Sequence, residues 1–435
     1  MKKRTLASFS VLIFYFFVTF IFLLEGLGLR MGREMAFILI LIAPFFLFLL
    51  DIINKFKIII PRTLTLLYGG FLLFTAISSA LSVNAHKSFL YLLFYSSLYL
   101  IFLYVLNHKR DLQKYLIIFI FVITIIFSLY SLFLNYFIQN SFYFLIPDNG
   151  YQYVFSRFGS HNHLGDILIL PLIISLYYLI AKKNQVLSFG SLIYYFPLFL
   201  FAYSRTAYFA FVSTILVMIV VLLKRHSVRI TKFFTVLIVL VILASSILFF
   251  TSVRESREVP ILKSITQILQ SNFGLQNKLF FANRHLFTVE SIRSISEKPF
   301  FGVGPGNYYV VSERFQIIPG LTSESSHNLI FDVMVENGLL AGVLFVFFVG
   351  LIFFRINKST VVFYLLMGVS IVFQFDYAHR IHSLLFFLFI LLGLQSDSWK
   401  GSYYSGKIAK YGVVALLLFV FIAVQYLLLA NLDIL

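Results

Sequence analysis

The chain has no cysteine and little charge for its length. Its 435 residues include one tryptophan and nine prolines, and only 12% of them are charged. The missing cysteines exclude disulfides, thiolate metal sites and a cysteine nucleophile. A soluble domain carries about 25% charged residues. The whole chain is therefore not a soluble enzyme, a soluble DNA-binding protein or a disordered scaffold.

The chain is rich in long apolar runs: 60% of its residues are hydrophobic, and 56 of them are phenylalanines. A helix needs about 20 apolar residues to cross the hydrocarbon core, and it satisfies all its backbone groups inside lipid. The sequence predicts an all-α, polytopic integral membrane protein, a single membrane domain over 1–435 with about 12 to 13 transmembrane helices. The candidate spans are 7–24, 35–50, 63–83, 88–106, 114–138, 163–181, 186–203, 206–223, 232–251, 339–354, 360–377, 383–395 and 411–430.

The distribution of basic residues predicts the orientation. With the N-terminus in the cytoplasm, twenty basic residues fall in cytoplasmic segments and six in the short outer loops. This is the bias of the positive-inside rule, so the net charge of +17 reflects topology and anionic lipid and does not indicate nucleic acid. Seven of the nine histidines and fourteen of the seventeen acidic residues then lie toward the outer face. Any acid–base chemistry is expected there.

The largest segment outside the spans is the predicted extracytoplasmic loop, 253–328. A structureless loop of this length is uncommon, and such loops usually carry function. Within it, 276–297 is predicted to be an amphipathic helix, and Ser325–Ser326 is expected to cap a helix that starts near His327. The apolar positions of the amphipathic helix are Leu279, Ala282, Leu286, Val289 and Ile292.

Arg205 lies between two apolar runs that are joined by almost no loop. An unpaired charge at that depth costs roughly 2.5–3.5 kcal/mol. One interpretation is an interfacial arginine whose side chain reaches the lipid phosphates. The other is an anion clamp, because a guanidinium binds phosphate through two parallel hydrogen bonds.

A polar segment with Arg157, His161, His163 and Asp166 precedes the sixth span. Two histidines and one aspartate are a weak metal signal without a third firm ligand. A structural turn explains the two histidines better, and Arg157 is a further candidate for an anion contact.

Glycines recur in 302–306, as in phosphate-binding loops. This segment lacks the preceding strand and the Gly-Lys-Ser/Thr of a P-loop, so no nucleotide is implied. A tight turn that positions the neighbouring helices is expected.

His327 precedes an apolar helix at the end of the outer loop. A lone histidine is more often structural than catalytic, but a helix N-terminus favours the neutral imidazole and attracts anions. Neutral histidine, with an ordinary pKa of about 6.5, is a suitable general base near pH 7. Glu324, Asp332 and Glu336 are alternative bases.

In their order along the chain, these stretches resemble the O-antigen ligase and polymerase-like membrane glycosyltransferases, and the resemblance covers roughly 155–345. The matching motifs are Arg157-x-Gly-Ser-His-Asn-His-Leu-Gly165, Ser204-Arg205-Thr206, Asn283-Arg284, Lys298-Pro299-Phe-Phe-Gly302-Val-Gly304-Pro-Gly306-Asn307, Ser326-His327-Asn328-Leu329 and Glu336-Asn337-Gly338-Leu339.

The resemblance implies a lipid-dependent (GT-C-like) glycosyltransferase fold with one large extracytoplasmic loop over a central cavity. It implies metal-independent, inverting transfer of a glycan from undecaprenyl diphosphate to an acceptor hydroxyl, such as that of lipid A-core, at the outer face of the bacterial plasma membrane. No cofactor is expected.

Carried over by motif, Arg205 and Arg284 match the family's diphosphate-binding arginines, and His327 matches its proposed catalytic base. The sequence departs from the family at His161-Asn162-His163, where many relatives have Asn-Pro-Asn, which leaves the role of both histidines open.

Other functions stay open at this point. A polysaccharide polymerase or a protein O-oligosaccharyltransferase of the same family uses the same donor and differs in the acceptor. A lipid or polysaccharide transporter is the main alternative of another class, although transporters usually place ionisable groups near the bilayer midplane. A non-catalytic membrane scaffold would not require several basic groups at one outer cavity.

Overall fold

The computed structural model describes residues 2–27, 31–53, 58–139, 161–181, 184–202, 204–224, 284–395, 403–405 and 407–429. These residues form fourteen α-helices, one 3₁₀ helix and two short strands, which confirms the predicted all-α class. The predicted span 232–251, the first part of the loop over 253–283, and Arg157 lie outside the described residues. The helices are α1 (Lys2–Gly26), α2 (Gly32–Ile53), α3 (Arg62–Ala80), α4 (Ala85–Gln139), α5 (His161–Ile180), α6 (Gln185–Phe201), α7 (Arg205–Lys224), α8 (Arg284–Glu297), α9 (Tyr308–Phe315), α10 (Leu329–Asn337), α11 (Leu339–Arg355), α12 (Val361–Phe375), the 3₁₀ helix Tyr377–Arg380, α13 (His382–Gln395) and α14 (Lys407–Leu429).

Several of these helices have the length and composition of membrane spans. Five described helices are long and apolar enough to cross a bilayer: Gly32–Ile53, Arg62–Ala80, Ala85–Phe133, Asn162–Ile180 and Arg205–Leu222. Shorter apolar helices accompany them at Ser10–Gly26, Gln185–Phe201, Leu339–Arg355, Val361–Phe375, His382–Gln395 and Tyr411–Ile422. The chain is a multi-pass membrane protein.

The chain divides into two compact units. The first contains Met1–Phe119, Leu286–Asn357 and Phe373–Leu435, and the second contains Ile120–His285 and Lys358–Val372.

In the first unit, α1 and α2 form an antiparallel pair, and the first part of α4 runs alongside α2. Phe37 of α2 stacks on Phe94 at a centroid distance of 5.0 Å. Farther along both helices, Phe48 meets the edge of Tyr104 at 5.7 Å. Up to Tyr104, α4 is therefore parallel to α2 and antiparallel to α1.

Beyond Tyr104, α4 turns back along α1. The Tyr104 hydroxyl donates to the Ser10 carbonyl, whereas Phe119 contacts Phe22, about three turns farther along α1. A straight continuation would lead away from Phe22, so α4 bends between Tyr104 and Phe119. The sequence predicts separate spans 88–106 and 114–138 with a loop between them. That loop is not formed, because helical hydrogen bonding continues through the bend.

A buried contact between a histidine and an aspartate lies at this bend. Nε2 of His108 is 2.9 Å from both carboxylate oxygens of Asp51 at the end of α2, and both side chains are buried. The neighbouring Asn107 hydrogen-bonds the backbone N–H and C=O of Ile59. Ile59 belongs to β1 (Ile59–Pro61), which pairs antiparallel with β2 (Tyr403–Ser405).

In the second unit, α5 packs closely against its neighbours. A Cβ added at Gly165 would lie 2.7 Å from Cβ of Ser204, so the start of α5 needs glycine where it meets the junction between α6 and α7. Gly368 of α12 lies against Ile173 of α5 in the same way. The start of α7, with Arg205, is thereby held against the start of α5.

Helix α8 differs from the amphipathic helix that the sequence predicts over 276–297. The described part covers Arg284–Glu297, and residues 276–283 lie outside the described range. Its buried face carries Phe287, Glu290, Ser291 and Ser294. Val289 and Ile292, two positions of the predicted apolar stripe, are exposed. The inward side of the helix combines Phe287 and Ile295 with polar side chains, and the Tyr308 hydroxyl hydrogen-bonds the Ser291 hydroxyl and the Phe287 carbonyl.

Candidate active site

His327 lies in a strained turn immediately before α10. Its φ of 61° is in the left-handed region, which residues other than glycine seldom adopt. The Ser325 hydroxyl accepts from the His327 N–H at 2.9 Å. The helix begins at Leu329, two residues later than expected, and its cap is Asn328, whose side-chain oxygen accepts from two N–H groups of the first turn. Backbone strain of this kind is often found at functional sites.

The His327 ring is held between aromatic side chains and faces a carboxylate. Phe287 of α8 stacks on it at 5.5 Å, and Tyr377 meets it edge-on at 5.1 Å. Nδ1 of His327 is 3.7 Å from Oδ1 of Asp376, which is fully buried, while the His327 side chain is 15% exposed. With Nδ1 toward the carboxylate, Nε2 is the nitrogen available to take a proton from another molecule.

Sequence reasoning did not identify Asp376, because it lies inside the predicted span 360–377. In the structure α12 ends at Phe375, and Asp376 caps the following 3₁₀ helix by accepting from the Tyr377 N–H at 2.7 Å. The signal available in the sequence was the polar group Asp376, His379 and Arg380 between two apolar runs.

A buried ion-pair network centred on Arg380 lies beside His327 and Asp376. Its Nη2 is 2.9 Å from Asp332 and 2.6 Å from Glu336, and both carboxylates are almost completely buried. His379 adds a contact of 2.7 Å from Nε2 to Asp332. Burial by itself raises the pKa of Asp332, but Arg380 and His379 hold it well below its usual range. Burial likewise lowers the pKa of Arg380, and Glu336 and Asp332 raise it well above its usual value.

This network connects to the His327 turn through Asp332. Oδ1 of Asp332 accepts from the backbone N–H of Ser326 at 2.7 Å and from its hydroxyl at 2.5 Å. Of the three alternative bases from the sequence, Asp332 and Glu336 are thus engaged with Arg380, and Glu324 is exposed.

A small cavity of about 10 Å³ adjoins the network. One carboxylate oxygen of Glu336, a lining residue, is buried and has no hydrogen-bond partner among the described residues. The polar and aromatic lining is Tyr91, Phe94, Tyr95, Asp332, Glu336, His379, Arg380 and His382.

The glycine-rich segment 302–306 is a close-packed turn, as the sequence predicts. Gly302, Gly304 and Gly306 all have positive φ, and a Cβ on Gly304 would collide with the Ser82 hydroxyl. Asn307 then donates to the hydroxyls of Ser82 at 2.9 Å and Ser88 at 2.8 Å. The turn is thereby fixed against the end of α3 and the start of α4.

The two arginines that match the family motifs both belong to the second unit. Arg205 is the first residue of α7 and is exposed, and the adjacent Thr206 is buried. Arg284 donates from Nη1 to the Thr206 hydroxyl at 2.7 Å. The Arg284 guanidinium therefore lies at the N-terminal end of α7, the helix whose first residue is Arg205.

His163 and Asp166 form a buried pair near the start of α5. Nδ1 of His163 is 3.4 Å from Oδ2 of Asp166, and both side chains are almost completely buried. Of His161, only the backbone is described, as the first residue of α5. Within the described ranges, no three His, Asp or Glu side chains are grouped so that they could hold a metal.

Comparison with known proteins finds a similarity to one family in the middle of the chain. No curated protein matches the chain. Residues 190–346 match the family model described as O-antigen ligase. That segment contains Arg205, Arg284 and His327. The family is one of ligase- and polymerase-like glycosyltransferases, whose substrates are lipid-linked glycans. This match confirms the resemblance found in the motifs: the chain contains a segment that is similar to the O-antigen ligase family.

Proposed function

We propose that the protein transfers a glycan from undecaprenyl diphosphate to an acceptor hydroxyl, without a metal and with inversion at the anomeric carbon. The acceptor is lipid A-core, as for an O-antigen ligase. The reaction takes place at the extracytoplasmic face of the bacterial plasma membrane, with the N-terminus in the cytoplasm. The twenty-to-six distribution of basic residues supports this orientation.

The main support is the side-chain hydrogen bond from Arg284 to Thr206, next to Arg205. In the proposed reaction, negative charge grows on the diphosphate as the anomeric C–O bond breaks. Fixed guanidinium groups stabilise that charge in the transition state, which is the largest contribution in many enzymes. An arginine guanidinium is a permanently charged, planar donor, so it binds phosphate oxygens better than a lysine does.

His327 is proposed as the general base. The acceptor hydroxyl gives its proton to Nε2 of His327 while its oxygen bonds to the anomeric carbon. The diphosphate leaves from the opposite face of the sugar with the electron pair of the broken bond. The position of Asp376 supports this role, because a carboxylate 3.7 Å from Nδ1 stabilises the imidazolium that forms.

The test uses the full-length protein in detergent, where vectorial transport does not occur. Purified protein is incubated with undecaprenyl diphosphate-linked repeat units, with and without lipid A-core. A single core-dependent product supports the ligase, a ladder without core identifies a polymerase, and no consumption of donor argues against a transferase.

Three substitutions test the residue roles in the same assay. We expect His327→Ala to lose about 10²–10⁴-fold in turnover, as for a missing general base. Arg205→Ala and Arg284→Ala should each lose about 10²–10³-fold, as for a missing transition-state donor. Arg314→Ala is the matched control, because Arg314 forms an exposed ion pair with Glu297 in the same region. Wild-type turnover in any of the three variants would remove that residue from the mechanism.

A further inference from the structure

Helix α8 turns an apolar stripe outward. Val289 is 37% and Ile292 51% exposed, while the inward face of the helix carries Phe287, Ile295 and polar side chains. The two exposed apolar side chains are left for another environment.

The exposed stripe continues into the chain that follows α8. Phe300, in the turn that follows the end of α8 at Glu297, is 65% exposed. The adjacent Pro299 accepts from the Leu339 N–H at 2.8 Å, which places this segment against the first residue of α11. Leu339 and Leu340 are themselves exposed. The apolar surface of 289–300 therefore reaches the beginning of a membrane helix.

Helix α11 carries the same kind of surface along its length. Val346, Phe347 and Phe354 are exposed on it, and Phe354 is 87% exposed. In a membrane protein, lipid covers such side chains on a spanning helix. Lipid that covered the exposed residues at the start of α11 would also lie next to Phe300.

The charges beside the stripe fit the surface of a bilayer. Arg293 and Lys298 are exposed next to Ile292 and Phe300. Helices that lie in the membrane interface combine an apolar face with basic residues, which reach the lipid phosphates.

We infer that α8 lies in the membrane interface, with Val289, Ile292 and Phe300 in contact with lipid acyl chains and with Arg293 and Lys298 at the headgroups. This contact surface goes beyond the proposed function and does not depend on it. Its consequence is that lipid holds the helix that supplies Phe287 to the His327 ring.

Spin labelling tests this inference directly, because any cysteine introduced into this chain is unique. Full-length Ile292→Cys and Glu313→Cys are each labelled with a nitroxide and reconstituted into lipid nanodiscs. Glu313 is the matched control, since it is an exposed polar residue on α9. Relaxation is measured with oxygen, which concentrates in lipid, and with a water-soluble nickel complex.

We expect oxygen to exceed the nickel complex at position 292 and the reverse at position 313. Equal access of the nickel complex at both positions would overturn the inference. A label at 292 that neither reagent reaches would also overturn it, because that result means that protein covers the stripe.

A second measurement covers the case in which the label disturbs α8. The only tryptophan is Trp399, so Ile292→Trp in a Trp399→Phe background gives a single emitter. We expect blue-shifted emission that brominated lipids quench several-fold more strongly than in the matching Glu313→Trp variant. Water-like emission without extra quenching at position 292 would refute the lipid contact.

Discussion

Replacing Arg380 by methionine should destabilise the protein strongly at neutral pH. A single nitrogen of Arg380 contacts both Asp332 and Glu336, and these two carboxylates are 3% and 1% exposed. Arg380→Met preserves most of the side-chain volume but removes the charge. It leaves two buried carboxylates close together.

Removing one partner of a buried ion pair costs about 3–5 kcal/mol, because the remaining charge stays buried without compensation. We expect the lower end, about 3 kcal/mol, because His379 still contacts Asp332 in the variant. The triple variant Arg380→Met/Asp332→Asn/Glu336→Gln should recover part of this loss, since it removes the uncompensated charges as well.

The loss of stability caused by Arg380→Met should be smaller in acid. In the wild type the pKa of Asp332 is held well below its usual range, so its pairing stabilises the fold above the ordinary carboxylate pKa and is lost as the pH falls toward the folded-state value. In the variant, protonation removes the uncompensated charge. Both effects reduce the difference in the free energy of unfolding between wild type and variant as the pH falls from about 7 to about 4.

The measurement is chemical unfolding in mixed micelles at these two pH values. Arg314→Met is the control and should change the free energy of unfolding by less than about 1 kcal/mol, because its ion pair is exposed. The reasoning would be refuted if Arg380→Met lost as little free energy of unfolding as the control. It would also be refuted if the loss were the same at both pH values.

Two further predictions concern the turns around the site. Gly304→Ala should lower the free energy of unfolding by about 1–3 kcal/mol, because the added Cβ collides with Ser82 and the backbone there is left-handed. Gly350→Ala is the control and should be neutral, because the space around Gly350 is open; equal stability of the two variants would contradict this account. Asp376→Asn should lower turnover by at least about tenfold with little change in the donor KM, because His327 loses the carboxylate that stabilises its protonated form. A change confined to KM would show that Asp376 acts in binding.

Hydropathy alone determined the fold class. The apolar runs predicted membrane helices, and most of the described helices coincide with predicted spans, because crossing a bilayer is a local requirement on about 20 consecutive residues. The motifs around Arg205, Arg284 and His327 also sufficed to indicate the family. These features are readable from the sequence because each depends on residues close together in the chain.

Only the tertiary structure decided which polar groups meet. Asp376 lies near His327, and Arg380 binds Asp332 and Glu336, across more than forty residues of chain that include the two apolar helices α11 and α12. Composition does not encode such pairings, because a carboxylate between two apolar runs looks the same whether it is paired or solvated. The outward stripe of α8 and the bend in α4 likewise depend on packing partners, since a helical pattern specifies two faces but not which of them meets the protein and which meets lipid.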